Sequence, residues 1–350
     1  MTNTTQTSST SQAQAQAQAQ AHAQPARLGS HAVFPLALGC MGMSGMYGAS
    51  DDDESVATIH EAIERGVNLL DTGDFYGTGA NELLINRAIK GRRDKVLLSV
   101  KFGVLRGPDG SFLGQDGRPN AVKNSLAHTL TRLGTDHVDI YRPARLDPAV
   151  PIEDTIGAIA DLVKAGYVRS IGLSEVGPET IRRANAVHPI ADLQIEYSLL
   201  SRGPEAKIFP LLAELGIGVT AYGVLSRGLL TRSKPATPGD FRAHLPRFTA
   251  DNERDNERLV AALETLAAER SVKPAQLAIA WVLAKSRAGG PQIVPTVGSR
   301  TRRQLDEALG ALAISLTPAE LARIEEAVPA SAVAGERYQA FLMQHLDSER

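Results

Sequence analysis

Leu69-Leu-Asp-Thr-Gly-Asp-Phe-Tyr-Gly77 and Val96-Leu-Leu-Ser-Val-Lys-Phe-Gly103 share one pattern: a short apolar run ends on an ionisable side chain, and a glycine-bearing turn follows. The first run ends on Asp71, with Tyr76 in its turn, and the second ends on Lys101. Runs this short and continuously apolar read as parallel strands covered on both faces. Three ionisable groups therefore arrive at the ends of two consecutive strands. A tyrosine hydroxyl titrates near pH ~10 and keeps its proton at neutrality. A nearby ammonium lowers that value, and a carboxylate beside the lysine holds the cation. Each piece also has a structural reading: Asp-Thr-Gly-Asp as a turn with side-chain caps, Lys101 as a strand-end lysine with a solvated head.

Outward from this pair the alternation continues. Strands are predicted over Val33–Leu38, Val67–Leu70, Val96–Val100, Val138–Tyr141, Val168–Leu173, Asp192–Tyr197, Gly218–Tyr222 and Ile293–Val297. Helices are predicted between them, among them Asn81–Lys90, Ala121–Leu133, Glu153–Lys164, Pro178–Val187, Glu205–Leu215, Asn256–Arg270, Pro274–Lys285 and Thr301–Leu312. The loop 103–120 carries two Asp-Gly pairs, which are hairpin signals. Eight strand–helix units predict an α/β fold, a (β/α)8 TIM barrel, with its site at the C-terminal strand ends. A doubly wound open sheet is the competing arrangement. The barrel predicts polar residues just past each strand, and Asp71, Lys101, Ser174, Glu175, Gln194, Tyr222 and Gly298-Ser-Arg300 fall there.

The 350 residues are 43% hydrophobic and 22% charged, with a formal net charge of −2, an ordinary globular balance. That charge gives no footprint for nucleic acid, and no apolar run is long enough to span a membrane, so a small-molecule partner is expected. The single cysteine, Cys40, cannot form an internal disulfide, which fits a reducing, cytoplasmic location. Residues 1–27 are rich in Gln, Ala, Ser and Thr and are expected to be a disordered tail before a barrel domain over 28–350, with a targeting segment as the alternative. No Cys/His cluster has metal spacing, so no metal is expected. His128 and His188 read as surface or capping residues.

Taken jointly and in order, the stretches Leu38-Gly-Cys-Met-Gly-Met-Ser-Gly45, Asp71-Thr-Gly-Asp-Phe-Tyr-Gly77, Gly79-Ala-Asn-Glu82, Lys101-Phe-Gly103, Ile171-Gly-Leu-Ser-Glu175, Gln194-Ile-Glu-Tyr-Ser198, Ala221-Tyr222 and Val294-Pro-Thr-Val-Gly-Ser299 make the chain resemble the aldo-keto reductases. The resemblance runs from Val33 to about Val328 and implies NADPH-dependent reduction of an aldehyde or ketone to an alcohol. It implies Tyr76 as the general acid, with Lys101 lowering its pKa and Asp71 holding the lysine. Tyr222 is implied as the ring stacked on the nicotinamide, and Ser174 and Gln194 as carboxamide partners. Met41, Gly298, Arg300, Gln304 and Glu307 match further cofactor positions. A helix N-terminus after Gly298 attracts phosphate, and Arg300, Arg302 and Arg303 are candidates for the 2′-phosphate. Against these stand plainer readings: Tyr222 as a barrel-end aromatic, Gln194 as a satisfied strand amide, the arginines as a solvated helix face.

Two departures from the family pattern stand out. Ala308 occupies the place of an asparagine that usually holds the adenine. In Asp139-Ile-Tyr-Arg-Pro-Ala-Arg-Leu-Asp147, Ala144 stands where the family has a histidine that donates to the substrate oxygen. Loss of one such donor elsewhere costs about 3 kcal/mol of transition-state stabilisation. Either a slower enzyme results or another donor substitutes, with Arg142 and Arg145 nearby in sequence but equally read as structural salt-bridge partners; the competing class is an NADPH-binding regulatory or partner subunit with little turnover. Alanine also widens the pocket toward a bulkier or ring-bearing aldehyde such as pyridoxal.

Overall fold

A computed structural model describes residues 25–235, 240–287 and 290–350. Eight parallel strands close into a barrel: β1 (Ala37–Gly39), β2 (Leu69–Gly73), β3 (Leu97–Phe102), β4 (Val138–Pro143), β5 (Val168–Ser174), β6 (Ile190–Glu196), β7 (Gly218–Tyr222) and β8 (Ile293–Gly298), with β8 pairing back onto β1. The predicted (β/α)8 barrel is therefore the fold, and the open sheet is excluded. β2, β4 and β6 are buried at every residue, as parallel strands covered on both faces are, and their few polar side chains, such as Asp71, Arg142 and Gln194, are bonded inside the barrel.

Helices wrap the barrel, and their ends follow from local chemistry. Asp51 caps α1 (Asp52–Glu64) by accepting from the Glu54 amide at 2.8 Å, and three acids fill the first turn, where the helix dipole favours them. The helices that follow are α2 (Ala80–Ile89), α3 (Pro119–Leu133), α4 (Ile152–Lys164), α5 (Pro178–Val187) and α6 (Pro204–Leu215). Next come α7 (Ala250–Glu269), α8 (Pro274–Arg287), α9 (Arg302–Leu309) and α10 (Pro318–Ala327). α3, α5 and α6 begin with proline, whose missing N–H is no loss in a first turn.

Several boundaries differ from the sequence expectation. Val33–Leu38 is not one strand: Pro35, which has no amide to donate, separates Val33 from β1. Ala26–Leu28 and His31–Val33 instead pair as an antiparallel hairpin, so Ala26 and Arg27 do not belong to a disordered tail; residues 1–24 lie outside the described residues. That hairpin plugs the N-terminal mouth, packing Leu28 and Val33 against Ala37, Leu69, Ile140 and Val294. Thr301–Leu312 divides at Gly310 into α9 and a short 3-10 turn, and α7 starts before Asn256. The first Asp-Gly pair, Asp109-Gly110, turns a hairpin of Val104–Arg106 with Phe112–Gln115, whereas the second, Asp116-Gly117, lies beyond it. Beyond Val328, where no element was expected, residues 330–350 fold over the C-terminal mouth, with Ser348 N donating to Glu175 O.

Candidate active site

Asp71 and Lys101 lie on paired strands, Asp71 level with Ser99 and Gly73 level with Lys101. Lys101 Nζ donates to Asp71 Oδ1 at 2.6 Å, and both side chains are buried. The other carboxylate oxygen, Oδ2, accepts from Ser99 Oγ at 3.1 Å and from Gln194 Nε2 at 2.7 Å. Three donors thus hold one buried carboxylate, which is what a charge removed from water requires.

Tyr76 is brought to this pair by its turn. The Asp74 amide donates to Lys101 O at 2.9 Å, and Gly77 and Thr78 take left-handed conformations at φ 54° and 51°. Asn81 pins the arrangement: its Oδ1 accepts from Thr72 Oγ1 at 2.7 Å, and its Nδ2 donates to Cys40 O at 2.8 Å and to Ser44 Oγ. Lys101 Nζ lies 5.0 Å from the centre of the buried Tyr76 ring.

The electrostatic balance corrects one expectation. Lys101 does not bring the Tyr76 pKa below the usual phenol value. Burial first, then the charge of Asp71, pushes it well above, with Arg145 pulling the other way. Burial also lowers the Lys101 ammonium against the opposing pull of Asp71. The phenol is a firmly held proton, beside a cation positioned to meet the phenolate if that proton leaves. Asp74, two residues before Tyr76, is raised to about 7 by burial and by Glu82.

The two arginines after the fourth strand separate cleanly. Arg142 is sealed inside the barrel: it pairs with Asp192 at 3.0 Å and donates to Thr220 Oγ1 and Ser99 Oγ at 2.9 Å each. It is structural, and Ser99 links it to Asp71. Arg145 is half-buried at the rim, its Nη1 donating to Ala144 O at 2.6 Å and its Nη2 to Tyr338 OH at 3.4 Å. Ala144 is buried, its amide bound to Phe102 O at 2.8 Å.

Around the mouth, Ser174 and Gln194 sit level on β5 and β6; Ser174 Oγ is buried and has no hydrogen-bond partner among the described residues. Tyr222 ends β7, and its hydroxyl donates to Glu175 Oε1 at 2.7 Å and meets Tyr338 OH at 2.9 Å. Burial alone would raise Glu175, yet Arg337 at 2.9 Å holds it well below the usual carboxylate range. Arg227 pairs with Glu196 at 2.7 Å. Sequence reasoning missed Arg337 and Tyr338, which come from a segment with no apolar period; Tyr47, whose ring lies 5.4 Å from Arg242, was seen only as part of the loop.

A second group forms at the start of α9. Gly298 is exposed at the end of β8, Arg300 Nη1 donates to Tyr47 O and Ala49 O at 3.1 Å each, and Gln304 Oε1 accepts the Arg300 amide at 2.9 Å. Met41 opens the 3-10 turn that follows β1. Arg302 is taken by Glu54 at 2.9 Å. Glu307 pairs with Lys273 at 2.7 Å on the flank, where these two, Arg303 and Gln276 border a cavity of about 510 Å³. His128 is exposed on α3, and His188 is half-buried and caps the C-terminal end of α5, as surface and capping residues. Among the described residues no group of His, Cys, Asp and Glu is placed to hold a metal, and no helix is long and apolar enough to cross a membrane.

Residues 35–329 match the aldo/keto reductase family. A probable aldo-keto reductase from Glycine max is 41% identical over 326 residues, covering 90% of this chain and 92% of that protein. An aldo-keto reductase of Schizosaccharomyces pombe, whose name specifies NADP(+), is 37% identical over 321 residues, covering 89% and 93%. The structure is similar to that of a glycerol dehydrogenase from Gluconobacter oxydans, with a TM-score of 0.78 at 25% identity over 93% of this chain and 97% of that one.

Proposed function

This chain belongs to the aldo/keto reductase family of oxidoreductases, and on that premise we propose that it reduces an aldehyde or ketone to an alcohol with NADPH, Tyr76 supplying the proton. The observation that carries this reading is the Lys101–Asp71 pair set against the buried Tyr76 ring. A proton donor placed this way contributes ~10²- to 10⁴-fold to such reactions.

The residues present fit a bound nicotinamide dinucleotide. Ser174 Oγ is a buried polar atom with no partner among the described residues, level with Gln194, and an amide group there would satisfy it. Gly298 and the amides at the start of α9, with Arg300, suit a phosphate. Arg302 is committed to Glu54 and Arg303 borders the flank cavity, which leaves Arg300, with neutral carbonyl partners, for the 2′-phosphate that distinguishes NADPH. The NADP(+) in the name of the yeast relative favours the same choice.

When bound, NADPH supplies the hydride for the carbonyl carbon. Tyr76 gives its phenolic proton to the oxygen on which negative charge develops. Lys101 stabilises the resulting phenolate, and Asp71 fixes the ammonium through its 2.6 Å contact. Ala144 keeps open a second reading, a cofactor-binding subunit with little turnover, but a pure binder has no use for an acid held against a lysine. NADPH oxidation measured together with alcohol formation over aromatic, aliphatic, sugar and pyridoxal aldehydes tests the proposal. Cofactor binding without oxidation across that panel would favour the second reading.

A further inference from the structure

Arg145 differs from the other arginines packed around it, and among the described residues it shares its lack of an acidic partner with Arg300 at the start of α9. Arg227 pairs with Glu196, Arg337 with Glu175 at 2.9 Å, Arg247 with Glu196 at 3.6 Å, and Arg242 with Asp240 at 2.7 Å. Arg145 has neutral partners only: the Ala144 carbonyl, the Tyr338 hydroxyl, and the Tyr338 ring with its centre 5.9 Å away. Among the described residues it forms no ion pair. The nearby Glu175 stabilises the Arg145 charge across a gap, but its oxygens are hydrogen-bonded to Arg337, Ser348 at 2.7 Å and Tyr222, so no carboxylate touches the guanidinium.

A half-buried guanidinium with no acidic group in contact keeps N–H donors that an anion can occupy during function. Its surroundings are those of the reaction. It follows directly on Ala144, its hydroxyl partner Tyr338 touches Tyr222, and its charge is felt at Tyr76. The small Ala144 side chain contributes no donor of its own beside it. A planar fork of N–H donors matches a carboxylate better than it matches a single carbonyl oxygen.

We propose that Arg145 binds a carboxylate carried by the carbonyl substrate, so that the preferred substrates are aldehydes or ketones that are also carboxylic acids. This rests on Tyr76 serving the carbonyl end of the same molecule. A charge-assisted pair in such a site is worth about 10-fold or more in affinity.

The test compares 4-carboxybenzaldehyde with its uncharged methyl ester, by calorimetric binding with and without NADP(+) and by turnover. The wild type is expected to bind the acid about 10-fold more tightly than the ester. In Arg145→Met that ratio is expected to fall to near one, with Arg145→Lys retaining part of it. Tyr338→Phe, which keeps the ring and frees the guanidinium, is expected to preserve it. Equal binding of acid and ester by the wild type overturns the proposal, and so does a preference that survives Arg145→Met. If the acid is preferred through Arg145 and neither compound is reduced, the carboxylate site stands and the catalytic reading fails. If the ester is reduced and the acid has no advantage, the reverse holds.

Discussion

Lys101 Nζ stands 2.6 Å from Asp71 Oδ1, and both side chains are buried. Breaking a buried pair by removing one partner leaves an uncompensated charge, at a cost of ~3–5 kcal/mol. Lys101→Met is therefore expected to lower stability by that order in urea denaturation. Asp71→Asn should also destabilise, since it leaves the ammonium alone. The double variant should lose less than the sum, a coupling of ~1–3 kcal/mol for groups in direct contact. Additive losses would show that the two residues do not depend on each other.

The Arg337 clamp predicts a pH-dependent stability. Glu175 is held below its unfolded value of 4.5, so it stabilises the fold above that value and loses the contribution as pH falls through the folded one. Arg337→Met leaves both Glu175 and Glu196 buried with one fewer cation. The deficit against wild type is expected to be several kcal/mol at neutral pH. It should shrink below pH ~4, where carboxylates in the unfolded chain take up protons. A deficit constant with pH would contradict the assignment.

Asp74 acts in the opposite sense. Its folded value of about 7 exceeds the model-compound 3.8, so the folded state binds the extra proton between these limits. Stability from this group is full at the acid end of the window and declines as pH rises to 7. Asp74→Asn should flatten that part of the profile and stabilise the protein at pH above 7, read by thermal melts across the range.

Legibility in the sequence followed the distance over which each contact is made. Asp71, Tyr76 and Lys101 were readable because strand, turn and strand are consecutive, and barrel closure adds only their register. Gln194 was readable as an inward-facing strand amide, yet its bond to Asp71 spans the barrel and has no local sign. Arg142 and Arg145 are indistinguishable as text. Strand geometry sends the first into the barrel against Asp192 and leaves the second at the rim. The direction of the Tyr76 shift was misjudged because a lysine's pull is visible in sequence, whereas burial is a property of the closed mouth. That closure comes from Arg337, Tyr338 and Ser348, whose segment has no strand or helix period to announce it.

The proton donor can be tested by one substitution. Tyr76→Phe keeps the ring, and with it the edge contact to Phe75 at 4.8 Å, while removing only the hydroxyl. Aldehyde-dependent NADPH oxidation, followed by nicotinamide absorbance in wild type and variant, is expected to fall by ~10²-fold or more, with cofactor binding retained. Turnover undiminished in Tyr76→Phe would contradict the account at its centre.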